Sequence, residues 1–180
     1  EAGSRTSESV FPKLTEVVDG TPRIIDDPPL IYHFQDQVKD LDKLRAEIIT
    51  SYRASLISDR RVLFDRYQTV DSAIKVVGVG SVGTRCFVTL LLADNDDPLF
   101  LQIKEARRSV LEKPQGKSRY AHQGERIVSG QRLMQAASDI FIGWTSDDKG
   151  RHYYVRQLRD QKVSAELETM KKKTLIAYAG

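Results

Sequence analysis

A glycine-rich run between two strand-like segments is the feature that most constrains the fold of this chain. Residues 78–83 read Gly-Val-Gly-Ser-Val-Gly, which is the pattern GxGxxG. Because glycine has no Cβ atom, it lets backbone N–H groups approach phosphate oxygens closely, and it readily adopts positive φ angles. The segments on both sides of the run are apolar and β-branched, as strands are. A glycine loop between two strands favours a kinase-type loop that covers nucleotide phosphates.

The same glycine spacing occurs in dinucleotide-binding folds, but there a helix begins inside the loop. Phe87, Leu90 and Leu91 could lie along such a helix, and an acid among residues 94–97 could bind the ribose. We favour a strand, because residues 86–92 are apolar throughout and the run is too short for a helix before the next turn. The Rossmann-type oxidoreductase stays open as an alternative.

A second predicted strand, over residues 99–104, follows a turn at 95–98 and ends in a lysine. A lysine one hairpin beyond a glycine loop can reach the phosphates beneath that loop, so Lys104 is a candidate ligand of the α- and β-phosphate oxygens. Glu105 projects to the opposite face of the strand and is not expected to share this role. The loop residues expected to cover the phosphates are Gly78, Gly80, Ser81 and Gly83.

Composition excludes several partners. The net charge of +3 comes from 28 basic and 25 acidic residues that are interleaved, so we expect no nucleic-acid partner. The basic run at residues 171–173 is typical of a solvated helix face. A single cysteine, Cys86, suits a reducing compartment. The chain has neither a signal peptide nor an apolar stretch of about 20 residues, which predicts a cytoplasmic protein with no membrane partner.

Prolines and apolar periodicity divide the chain into four segments. Residues 1–33 hold four of the six prolines and predict an extended arm or linker. Residues 34–73 predict two helices, and residues 161–180 predict the start of a following helical segment. Residues 74–160 predict one helix and five strands, with the helix over 119–138 and the strands over 74–79, 84–93, 99–106, 140–145 and 152–158. The expected fold is α+β, with a five-stranded antiparallel sheet and a packed helix.

Three longer phrases, at residues 76–86, 130–139 and 154–160, carry a resemblance to a known family. They are similar to an uncharacterised bacterial family, domain-of-unknown-function family 2252, which has the protein-kinase-like fold of aminoglycoside phosphotransferases. The resemblance covers about residues 60–180. It implies that residues 74–160 form a kinase-like, N-terminal-lobe nucleotide-binding domain that binds ATP with Mg²⁺ in the intact protein.

The resemblance also implies roles for further residues. Glu125, the only acid among residues 119–138, would pair with Lys104, although a helix-surface glutamate beside Arg126 is the alternative. Arg85 and Gln102 stand where protein kinases have valine and alanine, which puts the shape of the adenine pocket in doubt. Adenine would hydrogen-bond to the backbone where the fifth strand ends, at Gln157, Leu158 and Arg159.

Catalytic residues for phosphoryl transfer are not recognisable in this sequence. It contains no stretch like HGD, HRD or DFG, and His33, His122 and His152 lack metal-ligand spacing, so each is expected at the surface or core edge. In the family that the chain resembles, the catalytic and metal-binding stretches lie upstream of the glycine loop, in a circularly permuted order. We therefore expect the catalytic half to precede Glu1, and the chain by itself to bind nucleotide weakly without turnover. A non-catalytic kinase-like binding module is the second alternative.

Overall fold

The computed structural model describes residues 7–33, 41–76, 83–94 and 97–158. Within these ranges the helices are α1 (Ser7–Leu14), α2 (Leu41–Ser55), α3 (Ser58–Phe64), α4 (Glu112–Gln115) and α5 (Gln123–Met134). The strands are β1 (Thr15–Val18), β2 (Thr21–Ile24), β3 (Ile31–Tyr32), β4 (Gln68–Lys75), β5 (Cys86–Ala93), β6 (Asp97–Glu105), β7 (Gly143–Ser146) and β8 (His152–Gln157). Of the helices in these ranges, none is long and apolar enough to cross a membrane.

The α+β class is confirmed, with a larger sheet than we expected. The main sheet has six antiparallel strands in the order β3-β4-β5-β6-β8-β7, and β1 and β2 form a separate hairpin. The additional strand is β3, which pairs with the end of β4 through Ile31 and Lys75. Its two residues follow two prolines and are too few to show an alternating pattern, so the sequence did not indicate it.

The prediction for residues 58–76 was partly wrong. The second helix was expected within residues 34–73 and the first strand of the sheet from residue 74, but α3 ends at Phe64 and β4 already begins at Gln68. The pairing of β4 with β5 shifts register between Thr69 and Asp71. A bulge of this kind inserts one residue and breaks the period of two, so the apolar positions on either side of it imitate helical spacing.

Strand alternation divides the sheet into two faces, each with its own core. We call them the Cys86 face and the Phe87 face, after the two residues that begin β5. On the Phe87 face, Tyr52 of α2 and Phe64 of α3 pack edge to face, with ring centroids 5.1 Å apart, over buried residues of β5, β6 and β8. The core of the Cys86 face contains the buried residues Ile24, Ile31, Ala73, Val88, Leu90 and Phe100.

The N-terminal segment, residues 7–33, has more structure than its prolines predict. It forms α1, the β1–β2 hairpin and β3, and it packs on the Cys86 face, where the rings of Phe11 and Phe100 lie 6.4 Å apart. Asp71 of β4 holds this segment, because its Oδ2 accepts hydrogen bonds from the Ile24 N–H (2.8 Å) and from Nε2 of His33 (2.8 Å). The prediction of an extended arm missed these elements.

The remaining elements lie close to where we expected them. The strands β5, β6, β7 and β8 and the helix α5 fall within or next to their predicted ranges. His122 caps α5, since its Nδ1 accepts a hydrogen bond from the Glu125 N–H at 3.2 Å. The helical segment predicted over residues 161–180 lies outside the described residues.

Candidate functional site

The chain leaves the glycine run in a turn and then continues as a strand. Gly83 has φ +76°, which favours glycine, and β5 begins three residues later at Cys86. The preference for a strand after the loop is therefore confirmed, and the helix that a dinucleotide-binding fold requires there is replaced by β5. Gly78, Gly80 and Ser81 lie outside the described residues, so their contact with phosphate stays a prediction.

Lys104 lies on β6, an interior strand, and is half-buried on the Cys86 face. It pairs with Cys86 of β5 on one side and with Tyr154 of β8 on the other. Burial raises the pKa of the Cys86 thiol, while the positive charges of Lys104, Lys75 and Arg156 oppose that rise. Three cationic side chains from β4, β6 and β8 therefore act on one point of this face. Such a concentration of positive charge suits an anionic ligand.

The side chains of Arg85 and Gln102 lie on opposite faces of the sheet. Arg85 precedes β5, and its Nη1 lies 3.2 Å from Oε2 of Glu105, so its side chain is directed away from Lys104. Cys86 and Val88 are the β5 residues nearest to Lys104 in sequence register on its own face. Strand alternation therefore puts Arg85 on the face opposite Lys104, and its effect on the shape of an adenine pocket stays a prediction.

Gln102 does lie on the Cys86 face, where it is buried (3% exposed). Its Oε1 accepts hydrogen bonds from Nε (3.3 Å) and Nη2 (3.2 Å) of Arg156 on the neighbouring strand. This pairing satisfies a buried amide oxygen that would otherwise destabilise the sheet by about 1–3 kcal/mol. The departure from the kinase pattern at this position is therefore accommodated by a partner on β8.

Glu125 lies in the first turn of α5 and is half-buried. Its backbone N–H donates to His122, as described above, and its carboxylate is near the phenol of Tyr120. Hydrogen bonds with Ser129 and Arg119 lower the pKa of Tyr120, and the charge of Glu125 opposes this effect. These contacts do not involve Lys104, so the pairing of Glu125 with Lys104 stays a prediction.

The backbone expected to contact adenine is largely engaged in other hydrogen bonds. The Gln157 N–H donates to Oδ2 of Asp139 at 2.5 Å, and the Leu158 N–H donates to the Phe100 carbonyl at 2.8 Å. Neither N–H group is therefore available to a ligand while these bonds hold. Arg159, the third residue expected there, lies outside the described residues.

Two histidines meet at the beginning of α5. The rings of His122 and His152 are stacked, with centroids 4.0 Å apart, and Nδ1 of His152 accepts the Gln123 N–H at 3.0 Å. Because Nδ1 of His122 also accepts an N–H, its Nε2 carries the proton and donates to Oγ of Ser146 at 2.9 Å. Burial and the neighbouring His152 lower the pKa of His122 to about 4. Both histidines thus act as helix-capping groups.

Two further residues near the glycine loop, Glu105 and Arg107, were not recognised from the sequence as part of the site. Glu105 accepts hydrogen bonds from Arg85 and Arg107, and Nη2 of Arg107 donates to the Gly83 carbonyl. The only signal in the sequence was the dense charge pattern at residues 104–108, which is equally typical of a solvated strand end. In the part of the chain described by the structure, no group of three His, Cys, Asp or Glu side chains could hold a metal ion.

Comparison with known proteins places the chain in a family. The model of a family described as uncharacterised protein conserved in bacteria, domain of unknown function 2252, matches residues 1–180. The chain therefore belongs to this family of bacterial proteins. No curated protein and no solved structure matches it.

Proposed function

We propose that this chain is the nucleotide-binding lobe of a kinase-like phosphotransferase. The observation that carries the proposal is the position of Lys104 on an interior strand, one hairpin after the glycine run and on the same face as Lys75 and Arg156. Strands β4 to β8, with α5 between the third and the fourth, also follow the order that the kinase-like resemblance implies.

The chemistry of the proposed site is electrostatic. Lys104 supplies a point charge for the α- and β-phosphate oxygens of ATP, and the backbone amides of the glycine loop cover the phosphates. Lys75 and Arg156 add positive potential on the neighbouring strands. Mg²⁺ accompanies ATP in the intact protein. The aspartates that hold this metal and orient an acceptor hydroxyl belong to an upstream catalytic half of the same protein.

Isothermal calorimetry with MgATP on the intact protein tests this proposal. Lys104→Met retains the aliphatic stem but removes the charge, so we expect the affinity for MgATP to fall by at least about tenfold, which corresponds to about 1.4 kcal/mol. Lys149→Met is the matched control, because Lys149 is exposed in the β7–β8 turn. Tight binding that is the same in Lys104→Met and in the unmodified protein would refute the phosphate-binding role.

A kinase-like binding module without nucleotide is the second candidate. One observation favours it. The Gln157 and Leu158 N–H groups donate to Asp139 and Phe100, so neither group is available to bind adenine while these bonds hold. The N-terminal segment also covers Val88 and Phe100 on the Cys86 face. Absence of MgATP binding by the intact protein in the same calorimetry would select this candidate.

A further inference from the structure

The exit of the glycine loop is joined to the end of β6 by the side chain of Glu105. This side chain is only 10% exposed, and its Oε2 accepts hydrogen bonds from the backbone N–H (3.0 Å) and Nη1 (3.2 Å) of Arg85. Its Oε1 accepts a hydrogen bond from Nε of Arg107 at 3.1 Å. The Glu105 N–H in turn donates to the Arg85 carbonyl at 2.9 Å. One carboxylate thus holds residues from both sides of the hairpin.

Arg107 extends this network in two directions. Its Nη2 donates to the carbonyl of Gly83, the last glycine of the run. Its own carbonyl accepts a hydrogen bond from Nη2 of Arg126 at 3.0 Å, and Nε of Arg126 donates to Oε1 of Gln123 at 2.8 Å. A continuous path of hydrogen bonds therefore leads from the glycine loop to the first turn of α5.

We propose that Glu105 is a positioning residue that ties the exit of the glycine loop, residues 83–85, to α5, so that this exit and the helix move as one unit. Arg85 and Arg107 are about half exposed (48% and 55%), and either ion pair by itself would contribute little. The network is stronger than either ion pair, because the nearly buried carboxylate of Glu105 accepts hydrogen bonds from both guanidinium groups and from a backbone N–H. Burial opposes its ionisation, but these hydrogen bonds hold the pKa of Glu105 below its ordinary value.

The consequence for ligand binding rests on the proposed function. Lys104 and Glu105 are consecutive residues of β6 and project to opposite faces. The first would contact phosphate and the second would hold the loop that covers it. A displacement of residues 83–85 on nucleotide binding would then be transmitted to α5 through Arg107 and Arg126.

Hydrogen exchange measured by mass spectrometry on the nucleotide-free intact protein tests the coupling. In Glu105→Gln we expect peptides over residues 83–88 and 123–130 to exchange faster together, by about tenfold or more. Peptides from the middle of β6 and β8 report global unfolding and keep their original rates. Faster exchange at residues 83–88 with an unchanged rate at 123–130 would overturn the proposal, and so would equal acceleration across the whole sheet.

Glu112→Gln is the matched control. Glu112 is also nearly buried (8% exposed) and pairs with Arg108 at 2.5 Å, but its described partners do not include the glycine loop. This variant should leave both peptides at their original rates, and acceleration there would overturn the assignment to Glu105. Arg107→Lys provides a second test if Glu105→Gln does not fold. Lysine retains the charge but lacks the fork that joins Glu105 and Gly83, so the same two peptides should accelerate.

Calorimetry distinguishes failure of this inference from failure of the proposed function. If the unmodified protein binds no MgATP, the proposed function fails, and the exchange rates without nucleotide still decide whether Glu105 couples the loop to α5. If it binds, MgATP should slow exchange at residues 123–130 in the unmodified protein but not in Glu105→Gln. Equal protection of α5 in both proteins would overturn the coupling and leave the role of Lys104 intact.

Discussion

One ring nitrogen from each of two histidines holds the beginning of α5. Nδ1 of His152 and Nδ1 of His122 accept the Gln123 and Glu125 N–H groups, so both nitrogens must be unprotonated. Protonation of His122 would convert its acceptor into a donor and would place a positive charge against the stacked ring of His152 and beside the positive end of the helix dipole. The attachment of α5 therefore depends on a neutral His122.

We predict that stability falls as the pH decreases from about 6.5 towards 4. The pKa of folded His122 is about 4, below the ordinary value of 6.5, so the unfolded chain binds more protons across this window and unfolding becomes easier. The loss should be roughly 1–2 kcal/mol after solvent screening. Urea unfolding at several pH values measures it.

His122→Asn should remove this loss, because asparagine still caps a helix but does not titrate. His33→Gln, at the other end of the sheet, should leave the loss in place. Carboxylates whose pKa is lowered, such as Asp26 and Asp147, stabilise the fold above their unfolded pKa and contribute to a separate loss below about pH 4. An unchanged loss between pH 6.5 and 5 in His122→Asn would contradict the assignment.

The position of helix α5 depends on direct contact between its backbone and β8. A Cβ atom on Gly124 would lie 2.2 Å from the Tyr153 carbonyl oxygen and 2.8 Å from Cβ of Trp144. Both neighbours are part of the sheet and cannot move independently. At Gly130, six residues further along, no heavy atom of the described residues outside the adjoining helix backbone lies within 4 Å of the corresponding position.

The two glycines of α5 should respond oppositely to substitution by alanine. Gly124→Ala should destabilise the protein by about 1–3 kcal/mol, because the helix must move away from β7 and β8. Gly130→Ala should stabilise it by about 0.5–1 kcal/mol through helix propensity alone. Differential scanning calorimetry measures both effects. Equal stabilisation by the two substitutions would show that α5 does not contact the sheet at Gly124.

For the whole molecule, the N-terminal segment completes the core of the Cys86 face. Its Ile24 is buried (1% exposed) beside Val88 and Phe100. Polar contacts fix it in place, since His33 lies between Asp26 (2.7 Å) and Asp71 (2.8 Å) and both ring nitrogens face carboxylate oxygens.

Asp71→Asn should loosen this segment and destabilise the protein by about 1–3 kcal/mol. The amide has one oxygen in place of two carboxylate oxygens, so it cannot bind Ile24 and His33 through one oxygen and accept from the Ser72 N–H through the other, as Asp71 does. Asp97→Asn is the control, because Asp97 is exposed and accepts a hydrogen bond from Oη of Tyr67 at 2.8 Å. Urea unfolding should show a change within about 0.5 kcal/mol for that control. Similar losses for both variants would indicate that Asp71 has no special role.

Much of the fold could be predicted, for identifiable physical reasons. Strands β5 and β6 were recognised because their apolar and β-branched residues end at turn signals, and both are buried on either face. Strand β4 was placed too late because its bulge disturbs the alternation. The hairpin β1–β2 was missed because its strands have four residues each and follow a proline-rich pattern.

The amino-acid pattern alone determined the strand that follows the glycine run, the position of Lys104 near the end of β6 and the placement of α5 between β6 and β7. These features depend on local propensity and on residues close together in the chain. Tertiary structure alone decided that Glu105 meets Arg85, that Gln102 meets Arg156 and that Asp71 holds the N-terminal segment. Those partners are 20 to 54 residues apart. They meet only through strand pairing and register, which set the neighbours of each side chain.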